Sequence, residues 1–152
     1  MPKSILIVDD KEFVRSALRS LFESMGLIVC GEAVDGLDAI QKTKELEPDL
    51  VVLDFLMPNM NGIEAAKVLK EIRPQLLILM LTAHSSDLNT DEIRQVGIDA
   101  VVVKGGNPAT LLDTIQTLCK FNFKKKQHNL KSGVRYLNTL SLGIFINASL
   151  PG

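Results

Sequence analysis

Five short apolar runs, Ser4–Val8, Ile28–Glu32, Leu50–Asp54, Leu77–Thr82 and Ala100–Val103, recur at a spacing of about 25 residues. Their near-continuous Ile, Leu and Val content is what a parallel strand covered on both faces requires. Helical patterns alternate with them. In Lys11–Met25, the residues Val14, Ala17, Leu18, Leu21, Phe22 and Met25 form one stripe. Leu37–Leu46 and Ile63–Ile72 repeat the pattern, the latter through Ala65, Val68, Leu69 and Ile72. Asn107-Pro108 pairs an N-cap with the residue favoured at the first helical position, and the stripe Leu111, Leu112, Ile115, Leu118 and Cys119 follows. Around Asp91–Val96 the pattern is short and polar, with only Ile93 and Val96 to bury, which predicts a mobile or variable helix.

Alternating strands and helices joined by right-handed crossovers predict an α/β fold with five parallel strands between two helical layers. Five βα units make the flavodoxin-like, doubly wound order 2-1-3-4-5 the natural solution. Half of a larger Rossmann sheet is the alternative. It lacks Gly-x-Gly-x-x-Gly after the first strand, which instead ends in Asp9-Asp10 and would repel a pyrophosphate unless a metal intervened.

The 152 residues suit one domain with a real core. The pattern ends near residue 120, so the reading is a domain over 1–120 and a tail over 121–152. Lys124, Lys125, Lys126, Lys131 and Arg135 give that tail a charge of +5 with no acid. With a net charge of −1, residues 1–120 then carry −1 − 5 = −6, which does not look like a nucleic-acid binder. The run Leu140–Ile146 has strand character, but no sixth crossover helix precedes it. Docking on the domain, pairing with another chain and disorder are all open to it. No apolar stretch approaches the ~20 residues that span a bilayer, and Met1–Asp10 is not a signal peptide, so the expected location is cytoplasmic with no membrane partner. Cys30 and Cys119 sit in apolar patterns and read as small buried hydrophobes.

The polar residues at the strand ends carry the chemistry. Asp9, Asp10, Asp54, Thr82 and Lys104 each follow an apolar run, so the predicted sheet brings three carboxylates, a hydroxyl and an ammonium to one edge, where open α/β sheets bind ligands. Asp9 and Asp10 are consecutive and cannot point the same way. Three carboxylates so close repel one another, and a hard cation such as Mg²⁺ resolves the repulsion. A carboxylate backed by a metal can attack a phosphoryl donor and form an aspartyl phosphate. Mg²⁺, the Lys104 ammonium and the Thr82 hydroxyl would neutralise the equatorial oxygens of the transferring group.

Four segments, ILIVDD at 5–10, VVLDFLMPNMNG at 51–62, LTA at 81–83 and VVVK at 101–104, resemble the receiver domain of two-component response regulators, across residues 3–120. The family pattern Asp-x-x-Met-Pro-x-Met-x-Gly is complete as Asp54, Met57, Pro58, Met60 and Gly62. The resemblance implies that Asp54 takes a phosphoryl group from a sensor histidine kinase or phosphotransfer protein. It implies that Asp9, Asp10, Asp54 and the backbone carbonyl of Leu56 bind Mg²⁺, and that Thr82 and Lys104 contact the phosphoryl oxygens. It also implies that the domain hydrolyses its own phosphoaspartate.

The sequence departs from the family at two places. Many receivers carry Tyr or Phe three residues before the Lys, where this chain has Val101, so the coupled Thr–aromatic rearrangement cannot occur as written. Pro often follows the Lys, commonly through a cis bond. Gly105-Gly106 stands here and predicts a trans Lys104–Gly105 peptide and a looser loop, because a non-proline cis bond costs roughly 2.5–4 kcal/mol. His84 falls near the mouth of the site as an exposed loop residue that could tune access of water or a phosphodonor. Leu56 would offer no side-chain hydrogen bond to an attacking water, which predicts slow self-dephosphorylation.

The resulting expectation is a phosphoacceptor switch acting through protein–protein contacts on an unknown downstream protein target, with a homodimer among the outcomes. No DNA-binding domain is evident in the tail, which lacks the packed amphipathic helices of a helix-turn-helix. A fragment of a longer regulator and a weakly switching pseudo-receiver are the alternatives. A phosphatase of the haloacid dehalogenase type would need Asp-x-Asp, which Asp54-Phe55-Leu56 does not supply.

Overall fold

A computed structural model describes residues 3–127, 134–139 and 144–149 of the chain, with side chains up to residue 120 apart from Ser85. The strands are β1 Ser4–Val8, β2 Ile28–Ala33, β3 Leu50–Asp54, β4 Leu77–Thr82, β5 Ala100–Val103, β6 Val134–Thr139 and β7 Ile144–Ser149. The helices are α1 Glu12–Ser24, α2 Gly36–Leu46, α3 Gly62–Ile72, α4 Thr90–Val96 and α5 Pro108–Gln127. A short 3₁₀ turn, Ser85–Asp87, precedes α4.

Strands β1 to β5 are parallel and stand in the expected order 2-1-3-4-5. Strand parity divides their side chains between two cores. Ile5, Ile7, Val52, Leu79 and Val102 face Phe22 of α1 and Leu111, Ile115 and Leu118 of α5. Leu6, Val8, Val51, Leu53, Ile78, Met80 and Val101 face α2, α3 and α4. This two-sided burial is why the strands read as unbroken apolar runs. Cys30 and Cys119 are free and half-buried, one packed against each core.

Local chemistry sets the helix starts at the site edge. Asn61 and Glu64 cap α3 reciprocally: the Asn61 side chain accepts from Glu64 N at 2.9 Å and the Glu64 carboxylate accepts from Asn61 N at 3.0 Å. Asp35, Asn89 and Asn107 accept the first free N–H groups of α2, α4 and α5. The Asp91–Val96 pattern is a helix that begins at Thr90 and ends on Gly97 in the left-handed region.

The five-stranded sheet of the sequence reading is extended. Beyond β5 come β7 and then β6, both antiparallel to their neighbours, so the sheet has seven strands among the described residues. Helix α5 continues past Lys120 to Gln127, and β6 runs in the same direction as β5. β7 follows β6 as the return strand of an antiparallel hairpin, with no sixth helix before it among the described residues. Of the run Leu140–Ile146, residues 140–143 lie outside the described residues and 144–146 belong to β7.

Candidate functional site

Four strand ends meet at one edge of the sheet. Val8 is level with Leu53, so Asp9 and Asp54 end their strands side by side. Asp54 is level with Leu81, and Thr82 is level with Val103, which precedes Lys104. Glycine allows the approach of α3 to this edge. A Cβ on Gly62 would lie 2.5 Å from the Asp54 carbonyl oxygen and 2.9 Å from Phe55 Cα. Gly62 N instead donates to the Phe55 carbonyl at 2.8 Å, fixing the turn that follows Asp54.

Asp9, Asp54 and Thr82 are buried, whereas Asp10 is exposed, as expected for consecutive carboxylates on opposite sides of the chain. One carboxylate oxygen from each of Asp9, Asp10 and Asp54 lies within 4.8 Å of the others. The Lys104 ammonium joins two of them, 2.6 Å from Asp9 Oδ2 and 2.9 Å from Asp54 Oδ1. Asp54 Oδ2 is buried and has no hydrogen-bond partner among the described residues.

Electrostatics follow from this geometry. Burial pushes the Asp54 carboxyl above its ordinary value, the Lys104 hydrogen bond pulls it back, and the charges of Asp9 and Asp10 push it up again. Burial acts to lower Lys104, but the hydrogen bonds and charges of Asp9 and Asp54 outweigh it and hold the ammonium above its usual range. The exposed Lys11 ammonium lies 3.4 Å from Asp10 Oδ1, so two cations face three acids and net negative charge remains.

Thr82 lies at the edge but is turned to its own loop. Its hydroxyl donates to the His84 carbonyl at 2.9 Å and accepts from His84 N at 3.2 Å. The His84 side chain is exposed, and Leu56 is 58% exposed on the loop after β3. No cis peptide bond occurs among the described residues, so Lys104–Gly105 is trans, and Gly105 takes φ +78°, a conformation that suits glycine. Val101 is buried against α2–α4.

Two supports were not read from the sequence. Lys11 N donates to Asp9 Oδ1 at 2.9 Å, and Arg15 Nη1 donates to the Asp9 carbonyl at 2.8 Å. Arg15 also donates to Glu32 at 3.1 Å, tying α1 to the ends of β1 and β2. An arginine beside an amphipathic stripe gives no signal of such a partner.

The family profile of the response regulator receiver domain matches residues 5–116. The chain belongs to that family. This receiver is 36% identical to the chemotaxis protein CheY of Thermotoga maritima over 120 residues, which cover 79% of this chain and all of that protein. The solved structure of Vibrio cholerae CheY4 superposes with a TM-score of 0.72 at 32% identity, covering 78% of this chain and 99% of that one. A chain of the CheX–CheY–BeF3–Mg²⁺ complex from Borrelia burgdorferi gives 0.74 at 28% identity, covering 78% and 90%. The receiver is a two-component signalling switch of the CheY type, and the Asp9–Asp10–Asp54 pocket is typical of the phosphoacceptor site.

Proposed function

We propose that Asp54 is the phosphoacceptor and that a sensor histidine kinase or a phosphotransfer protein supplies the phosphoryl group. One observation carries the reading: the Asp54 carboxylate is split between Oδ1, held by Lys104, and a buried Oδ2 with no partner among the described residues. A buried oxygen without a partner costs stability, and functional sites are where such costs occur. In the step, Asp54 Oδ2 forms a bond to phosphorus, the phosphorus–nitrogen bond of the donor phosphohistidine breaks, and the electron pair leaves on the imidazole, which takes up a proton.

The donor set fits Mg²⁺, because three carboxylate oxygens converge on a spot that the Lys104 and Lys11 ammonium groups do not fully neutralise. Asp9, Asp10, Asp54 and the Leu56 carbonyl would hold the ion. When bound, Mg²⁺ offsets the charge of the carboxylates and of the phosphoryl oxygens. A Mg²⁺ and BeF3 complex of the Borrelia relative supports the same assignment. Lys104 holds a phosphoryl oxygen as a point charge, and Thr82 joins it by exchanging its bond to the His84 carbonyl. Water then takes the phosphoryl group from Asp54 in the same pocket, so the protein limits the life of its own signal.

Residues 1–120 are the receiver body and 121–152 the tail. The output is a protein–protein contact with a downstream target. We place the protein in the cytoplasm, where phosphodonor and target are found; no helix among the described residues is long and apolar enough to cross a membrane.

Incubation of the full chain with acetyl phosphate and Mg²⁺, followed by intact mass, tests the reading. One phosphoryl adduct is expected, absent in Asp54→Asn and after chelation. No adduct would mark a pseudo-receiver, and continued turnover of phosphate esters would mark an enzyme.

A further inference from the structure

The C-terminal hairpin closes the edge of the sheet that β5 would otherwise leave open. Its two strands pair with each other at six positions, from Val134↔Ser149 to Thr139↔Ile144. They meet the receiver through only two, Ala100↔Ile146 and Val101↔Phe145. On its other side β5 pairs with β4 at four positions, from Leu79↔Ala100 to Thr82↔Val103. The hairpin is thus internally complete and attached by the shortest ladder in the sheet.

We propose that the β5 edge is a docking surface for the chain's own β6–β7 hairpin, and that phosphorylation of Asp54 releases the hairpin from it. The proposal rests on Asp54 being the phosphoacceptor. Lys104 directly follows β5, and its ammonium grips Asp9 and Asp54 while its N–H donates to the Thr82 carbonyl at 2.7 Å. A phosphoryl group on Asp54 brings new charge to the position Lys104 contacts, and the lysine must exchange partners to meet it. Any movement of Lys104 pulls on the end of a four-residue strand. Of the two ladders that hold β5, the two-pair seam yields before the four-pair ladder.

Val101 fits this route. It is buried, too small to carry a large side-chain swing, and it is also the residue in register with Phe145. The signal therefore leaves through the backbone of β5. Binding linkage is reciprocal, so a docked hairpin opposes phosphorylation by the same factor by which phosphorylation opposes docking.

Hydrogen exchange read by mass spectrometry on the full chain, before and after acetyl phosphate and Mg²⁺, tests the proposal, with adduct measured on the same sample. The expected result is at least about fivefold faster exchange across residues 100–103 in the phosphorylated protein, with β1 and β3 unchanged. Adduct without that change overturns hairpin release and leaves the phosphoacceptor reading standing; absence of adduct overturns both. A second arm uses the double variant Phe145→Pro, Ile146→Pro. Neighbouring antiparallel pairs alternate in hydrogen bonding, so one of the two prolines removes an N–H that faces β5. The variant is expected to exchange fast at 100–103 before phosphorylation and to gain adduct severalfold faster. Protection of β1 and β3 verifies its fold, and an adduct rate equal to wild type overturns the coupling.

Discussion

Lys104 lies closer to Asp9 than to Asp54, at 2.6 Å against 2.9 Å, and Asp9 is the more deeply buried of the two acids. The lysine is anchored on a strand-end acid that we assign to the metal, and it reaches from there to the proposed nucleophile. Its loss would leave two buried carboxylates facing each other without a cation.

Lys104→Met is therefore expected to destabilise the metal-free protein by about 2 kcal/mol at neutral pH, a buried-pair cost discounted for the partial exposure of the lysine. Urea unfolding measures it. Mg²⁺ should recover much of the loss by taking over charge compensation, and a variant that Mg²⁺ leaves unchanged would count against the metal assignment.

Asp54→Asn should act in the opposite sense. Because the folded state holds Asp54 above its ordinary value, its contribution to stability is present below the unfolded pKa and is lost as pH rises through the folded pKa. Removing the charge is expected to stabilise the metal-free protein at pH 7, on the order of 1 kcal/mol. The gain should vanish on acidification to pH values below the ordinary carboxylate range, as followed by thermal melts across pH.

Glu32 shows the opposite shift. Hydrogen bonds from Arg19 at 2.6 Å and Arg15 at 3.1 Å hold its carboxyl below the usual range, outweighing the effect of burial. Its stabilisation is present above the unfolded pKa and lost as pH falls through the folded one. Glu32→Gln should cost about 1 kcal/mol at pH 7. That cost should shrink in acid, and a difference from wild type that stays constant down to pH 2 would contradict the pairing.

Gly62→Ala places a methyl 2.5 Å from the Asp54 carbonyl oxygen, and the obstructing atoms are backbone. Overpacking of about 1–3 kcal/mol is expected, together with slower phosphorylation as the Asp54 turn is displaced. Equal phosphorylation rates in alanine variant and wild type would show that this turn does not position Asp54.

Leu56 presents an apolar, exposed side chain on the loop after Asp54. Leu56→Asn offers a hydrogen bond to an attacking water, and phosphoprotein loss should accelerate severalfold. Decay of the intact-mass adduct after removal of donor gives the rate; an unchanged lifetime would remove Leu56 from the account of dephosphorylation.

The parallel strands were legible because β1, β3, β4 and β5 are buried on both faces and the half-buried edge strand β2 is still apolar at Ile28, Val29 and Cys30. Four of the five runs match the observed strands, and β2 differs only in reaching Ala33. The acids and lysine were legible because polar residues immediately after buried strands must emerge at the sheet edge. What periodicity could not show is where a side chain turns when a partner competes for it. Thr82 is aligned with the site by register, yet its hydroxyl is taken by His84. Arg15 reaches the Asp9 carbonyl through a contact that no helical stripe encodes. The extension of α5 was hidden because its apolar stripe ends at Cys119 while the helix continues through the polar Asn122 and Lys124. The strand character near residue 144 follows no helix of its own, because β7 is the return strand of an antiparallel hairpin with β6.

The parity that sends Ile5 and Ile7 to one core and Leu6 and Val8 to the other makes the sheet a partition. Volume removed beneath α1 and α5 can be refilled there without disturbing the packing under α2 to α4, so substitutions on opposite faces should combine additively. The site residues Asp9, Asp54, Thr82 and Lys104 lie at the strand ends and belong to neither set of core residues. An engineer could therefore rebuild either face as an independent recognition surface and keep the same pocket serving it.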